Sequence, residues 1–170
     1  MSYITEEEIK KILPLKGPSF DEVKNYLEKY NDEYIVIKCG GSILVDKNLF
    51  NNFINDISIL NKLGFIPIII HGGGKRISNK LSEAGIKSNF INGLRVTDEK
   101  SINIVEEVLS NFNKEITEAL KANNCDSHGI TSKKNNILIV CKENNDLGFV
   151  GTPKEIDQSI IEDIVKDKKV

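Results

Sequence analysis

Several things are scarce in this chain of 170 residues, and each scarcity excludes something. Its longest apolar run, around Phe65–Ile70, is far too short to span a bilayer. Positive charge is not in excess: 23 lysines and arginines stand against 25 acids, a net charge of −2, and nothing marks a nucleic-acid-binding face. The two signs are interspersed, which is the pattern of solvated helix faces. Cysteine is confined to Cys39, Cys125 and Cys141, an odd number without metal-ligand spacing, so these read as reduced, mostly buried thiols. The opening MSYITEEEIKK is acidic and polar, unlike a secretory signal. Neither GxxxxGK[ST] nor GxGxxG occurs, which removes the Walker-type phosphate loop and weakens a dinucleotide site. What is left is a globular, cytoplasmic protein with no membrane or nucleic-acid partner, in which 39% hydrophobic residues supply a core.

What is present has a clear period. Residues 5–13 and 19–30 read as two short helices split by PLKGPS, with Phe20, Val23, Leu27 and Tyr30 at helical spacing and Ser19 or Asp21 as a cap. YIVIK (34–38) is a β-branched run ending in CGGS (39–42), the mark of a buried strand. Residues 46–63 place Leu49, Phe53, Ile57 and Leu60 on one helical face, between Asp46 as N-cap and Gly64 as the C′ residue. FIPIII (65–70) is the next strand, followed by His71–Gly74 and a helix over about 75–84. Strand, glycine loop and helix, twice over, predict βαβ units in an α/β fold with a mainly parallel sheet. Both glycine loops then share the carboxyl edge, where open α/β sheets bind ligands.

Farther along, KSNFINGLRVT (87–97) is extended around Asn92-Gly93, a hairpin signal. A long helix follows over roughly 98–122, capped by Thr97 or Asp98. HGIT and NILIVCK read as strands, NNDLGFVGTP (144–153) as a second hairpin, and 154–167 as an amphipathic helix on Ile156, Ile160 and Ile164. Residues 1–30 form a helical extension and 31–170 a single lobe.

Three motifs carry chemistry. In KCGGS, Lys38 ends a strand, while Gly40 and Gly41 let backbone N–H groups approach an anion. HGGGKR offers a second such cradle at the same edge. One cradle fits an ordinary strand-to-helix turn; two that converge suit a ligand with distributed negative charge, the requirement of phosphoryl transfer. His71 reads as a hydrogen-bonded structural residue, because an ionised carboxylate acceptor needs no base. In NGLRVTD, Arg95 is either a bidentate carboxylate clamp or a surface arginine paired with Asp98 or a helix glutamate.

Together KCGGS (38–42), HGGG (71–74), NGLRVTD (92–98) and DLGFVG (146–151) resemble the amino-acid kinase superfamily over residues 19–170 and, within it, the acetylglutamate kinases. The arginine-centred hairpin is the selective element. The resemblance implies a three-layer αβα sandwich with hairpin lids, and ATP-dependent phosphorylation of the γ-carboxylate of N-acetyl-L-glutamate in arginine biosynthesis. It implies Lys38 as the stabiliser of the transferring phosphoryl group and Gly72, Gly73 and Arg95 as substrate-binding residues. Gly40 and Gly41 would hold phosphates, the hairpin Phe90–Arg95 would be a lid, and ATP with Mg2+ would be the co-substrate. A homodimer or hexamer is the implied assembly. The same resemblance leaves two alternatives: a non-catalytic, arginine-sensing domain of an acetylglutamate synthase, or another amino-acid kinase. Three departures stand out. Lys75 replaces the proline usual after HGGG, HGITSKKNN replaces a glycine- and aspartate-containing turn, and the second half with its ATP site and second lysine is absent.

Overall fold

A computed structural model describes residues 5–13, 15–142 and 145–170. Helices α1 (Glu6–Ile12) and α2 (Phe20–Lys29) each open on a capping box, Thr5 with Glu8 and Ser19 with Glu22, so local chemistry alone sets both starts. Strand β1 (Tyr34–Cys39) follows, then a 3₁₀ turn over Gly41–Leu44 and helix α3 (Lys47–Lys62). Asp46 caps α3, its carboxylate accepting from the Asn48 and Leu49 N–H groups at 2.8 and 3.0 Å. Strand β2 (Ile66–His71) returns parallel to β1, pairing Tyr34 with Ile66 through Cys39 with His71. Helix α4 (Gly74–Glu83) leads to the short hairpin β3 (Phe90–Ile91) and β4 (Leu94–Arg95), and α5 (Glu99–Ala122) runs back across the molecule.

The parallel register places Ile35, Ile37 and Cys39 on the same sheet face as Pro67, Ile69 and His71. The core forms on that face, where α3 contributes Phe50, Ile54 and Ile57 and α5 contributes Phe112, Ile116 and Leu120. Phe112 is fully buried and is the hub: the Phe50 ring lies 6.1 Å away, the His71 ring 5.0 Å edge-on, and the Arg76 guanidinium carbon 4.2 Å over its face. Arg76 also forms a two-pronged ion pair with Glu115. On the opposite sheet face Val36 (58% exposed) and Ile70 (53% exposed) meet solvent near the carboxyl edge, whereas Ile66 at the start of β2 is buried. Cys39 and Cys125 are buried, as the composition suggested, whereas Cys141 is exposed.

The C-terminal third departs from the sequence reading at three places. HGIT forms no strand; the chain there is held by the His128 N–H donating to Val170 O and the Val170 N–H donating to Asp126 O. The expected helix over 154–167 is split. After the short helix α6 (Ser132–Asn135), Pro153 to Ile156 belong to strand β6 (Gly151–Ile156), antiparallel to β5 (Leu138–Lys142), and only α7 (Ser159–Lys166) is helical. Pro153 stands opposite Val140 beside a register shift, a position in a two-stranded edge that tolerates a missing N–H. The second hairpin is therefore β5–β6, wider than Gly148–Gly151, with a 3₁₀ turn over Asn145–Leu147 in its connection. No helix among the described residues is long and apolar enough to cross a membrane.

Candidate functional site

The carboxyl ends of β1 and β2 meet through one backbone bond, the Gly72 N–H donating to the Cys39 carbonyl at 3.3 Å. Beyond it both chains turn away from the sheet, as the strand–glycine–helix pattern predicts. Gly40, Gly41 and Gly72 have nothing within 4 Å of where a Cβ would stand, and Gly41 adopts φ +65°. These backbones are bared. Gly73 is different: it is buried, and a Cβ there would come within 2.7 Å of Leu109 Cδ2. The close approach of α5 leaves room for a side chain there only if the half-buried end of Leu109 shifts. Gly73 is also the N-cap of α4, and neither a capping side chain nor a first-turn acid satisfies that helix start. Orphan N–H groups and the positive end of the helix dipole remain, which favours an anion.

Arg95 reaches this helix start from the hairpin. Asn92 and Gly93 form its turn with φ +50° and +81°, the left-handed pair that a two-residue primed turn demands. The Arg95 guanidinium carbon lies 4.7 Å over the Phe90 ring. Its Nη2 donates to Ser78 Oγ at 2.9 Å and to the Gly74 carbonyl at 3.3 Å, and its Nη1 donates to Ser88 Oγ. Burial pulls its pKa below the ordinary value, yet a guanidinium stays charged. Among the described residues no carboxylate lies within 4.0 Å of it, while Asp98 is spent on capping α5. Of the two sequence alternatives for Arg95, the pairing with Asp98 is absent. Arg95, Phe90, Gly41, Gly74, Lys75 and Ser78 line one cleft.

Lys38 stands apart from that group. It pairs with Ile70 in the register and so leaves the sheet from the face opposite His71, exposed. Of the residues predicted for the site, the structure thus brings Arg95 and Gly41 into one cleft beside α4. Lys38, Gly40, Gly72 and Gly73 adjoin it without lining it. His71 is held as a structural residue. Asn113 Nδ2 lies 3.3 Å from its Nε2 and the Gly72 carbonyl 3.3 Å from its Nδ1, so Nε2 accepts and Nδ1 carries the proton.

The amino acid kinase family matches residues 33–170 of this sequence. The chain belongs to that family. It is 62% identical over all 170 residues to an acetylglutamate kinase from Pelagibacter ubique, of which it covers 59%. Over 142 residues, 82% of the chain, it is 44% identical to an acetylglutamate kinase from Campylobacter hominis, of which it covers 50%. The crystal structure of N-acetylglutamate synthase from Neisseria gonorrhoeae, complexed with coenzyme A and N-acetyl-glutamate, superimposes with a TM-score of 0.71. That likeness covers 89% of this chain and 35% of that one at 21% identity, and is one of fold. The chain spans little more than half the length of the curated relatives it matches.

For this member of the family, sequence reasoning missed several parts of the cleft. Lys75 is not merely a changed helix start; it lines the cleft beside Arg95. Ser78 and Ser88 hold the guanidinium. Ser78 sits one turn beyond Gly74 on α4, a spacing that periodicity could have flagged. No local pattern points to Ser88, or to Asn113 behind His71.

Proposed function

We propose that this chain is the substrate-binding part of an acetylglutamate kinase, with residues 31–170 as the acetylglutamate-binding lobe and 1–30 as a helical extension. The observation that carries the reading is Arg95: a charged fork without a carboxylate partner among the described residues, held over an uncapped helix start. An amino-acid ligand supplies what that arrangement lacks. Its α-carboxylate pairs with Arg95, and its γ-carboxylate turns toward the bared glycines of the two strand ends. The first-turn amides of α4 and the amides around Gly41 favour negative charge there.

In the proposed reaction a γ-carboxylate oxygen attacks the terminal phosphorus of ATP. The bond to the bridging oxygen breaks, ADP leaves with that electron pair, and an acyl phosphate forms. The acceptor is already ionised, so no proton has to move. Lys38 supplies a point charge for the oxygens of the transferring group. Gly40 and Gly41 let backbone amides approach the phosphates, Gly73 and its neighbour Gly72 shape the floor, and the Phe90–Arg95 hairpin covers the amino acid. The Mg2+ of the co-substrate would travel with the nucleotide phosphates. Assembly as a homodimer or hexamer belongs to the same proposal.

Arg95→Ala tests the reading. Loss of a charge-assisted bidentate contact should cost about 2–4 kcal/mol, seen as a steep rise in KM for acetylglutamate in the full-length protein. An unchanged KM would assign the cleft to another substrate.

A further inference from the structure

We infer that the turn Leu147–Phe149 is a backbone latch that fixes the Arg95 hairpin, with Gly148 and Thr97 as positioning residues for the substrate carboxylate. The β3–β4 hairpin cannot hold itself. It pairs only Phe90 with Arg95 and Ile91 with Leu94, and Phe90, Ile91 and Leu94 are exposed. A two-stranded ribbon of this size is marginal in water. Apart from the bonds of Arg95 to α4 and the Val96 N–H donated to the Asn89 carbonyl, its stiffness comes from the residues that leave it.

Those residues are gripped from a distant part of the chain. The Thr97 N–H donates to the Leu147 carbonyl at 3.0 Å, and the Phe149 N–H donates to the Thr97 carbonyl at 2.7 Å. The two bonds bracket Gly148 as an isolated parallel bridge to Thr97. Thr97 is buried, and its hydroxyl donates to the Arg95 carbonyl at 3.1 Å. The grip therefore passes directly into the backbone that carries the guanidinium. Only glycine fits the bracketed position. Gly148 has φ +70°, and a Cβ there would stand 2.2 Å from the Thr97 carbonyl oxygen and 2.9 Å from its carbon. The obstacle is backbone, which cannot swing aside as a side chain could. Leu147 is itself buried and anchors the turn. A methyl group at 148 would push Thr97 and the turn apart and leave Arg95 on a loosened ribbon.

This inference rests on the reading of Arg95 as the acetylglutamate clamp, and its test separates the two. In the full-length protein, Gly148→Ala should raise KM for acetylglutamate roughly tenfold or more, since small misplacements of a clamp are costly, while KM for ATP stays within about twofold. In an Arg95→Ala background the same substitution should add nothing, because the residue it positions is gone. A rise in KM that adds in full to that of Arg95→Ala, or no rise at all, overturns the latch. Should Gly148→Ala not fold, Thr97→Val decides by the same cycle: a KM rise that vanishes without Arg95 supports the latch, and an unchanged KM overturns it. Should Arg95→Ala leave KM for acetylglutamate unchanged, it is the substrate reading that fails. Amide hydrogen exchange at 94–97 then judges the latch alone, faster exchange in the variant supporting it and unchanged exchange overturning it.

Discussion

A Cβ placed on Gly73 would overlap Leu109 Cδ2 at 2.7 Å, whereas one placed on Gly72 would meet nothing within 4 Å. Neighbouring glycines in one motif therefore answer to different demands. Gly73→Ala should destabilise the fold modestly, by about 1 kcal/mol, and lower the thermal midpoint, because the end of Leu109 has to shift to admit a methyl group. Gly72→Ala should leave the midpoint unchanged, because its methyl group meets nothing within 4 Å, and on the proposed reading should weaken acetylglutamate binding. Thermal unfolding combined with ligand titration separates the two. The run HGGG made all three glycines look alike, as bared backbone for an anion. What distinguishes Gly73 is a leucine 36 positions away on α5, which no local pattern reveals. His71, by contrast, was legible: it precedes glycines at a strand end, and Asn113 and the Gly72 carbonyl hold it by both ring nitrogens.

At the scale of elements, the periodic segments read correctly because the signals that form them are local. Asp46, Ser19 and Asp98 cap the helices they precede, and β1 and β2 follow their β-branched runs. The errors fall where pairing is long-range. Residues 128–131 have strand-like composition, but His128 at their head donates its N–H to Val170 at the far end of the sequence. Ile156 has the spacing of a helix with Ile160 and Ile164, yet it pairs with Leu138 in β6. The cap of α5 gives a pH prediction. Hydrogen bonding from Ser101, through its side chain first and then its N–H at 2.8 Å, holds the Asp98 carboxyl below the ordinary value of 3.8. A lowered folded-state pKa means that the cap stabilises fully above the unfolded value and is lost as pH falls through the folded one. Asp98→Ala should therefore lower the thermal midpoint at neutral pH, and the gap to the unaltered protein should close as the solution is acidified below about pH 3.8. A gap that persists at low pH would show that the carboxylate is not what caps α5.

For the whole molecule, the arrangement follows from one topological fact: β1 and β2 are adjacent and parallel, so their glycine-rich ends share an edge. That much was legible from the alternation of strand, loop and helix. Arg95, the residue proposed to hold the substrate carboxylate, was singled out in the sequence by the hairpin that sets the acetylglutamate kinases apart within the resemblance. The cleft that unites them was not. It depends on α4 presenting Ser78 and Gly74 to Arg95 across 17 and 21 residues of sequence, and on Gly148 meeting Thr97. The chain spans 59% of its Pelagibacter relative, and Lys38, Val36 and Ile70 are exposed at the carboxyl end of one sheet face. The central claim is that the acceptor is the side-chain carboxylate of N-acetyl-L-glutamate, and ADP release by the full-length protein tests it most directly. With ATP and Mg2+ present, release should be fast with acetylglutamate and near background with aspartate, glutamate, carbamate or UMP. Release that is equal or faster with any of those four would contradict the account.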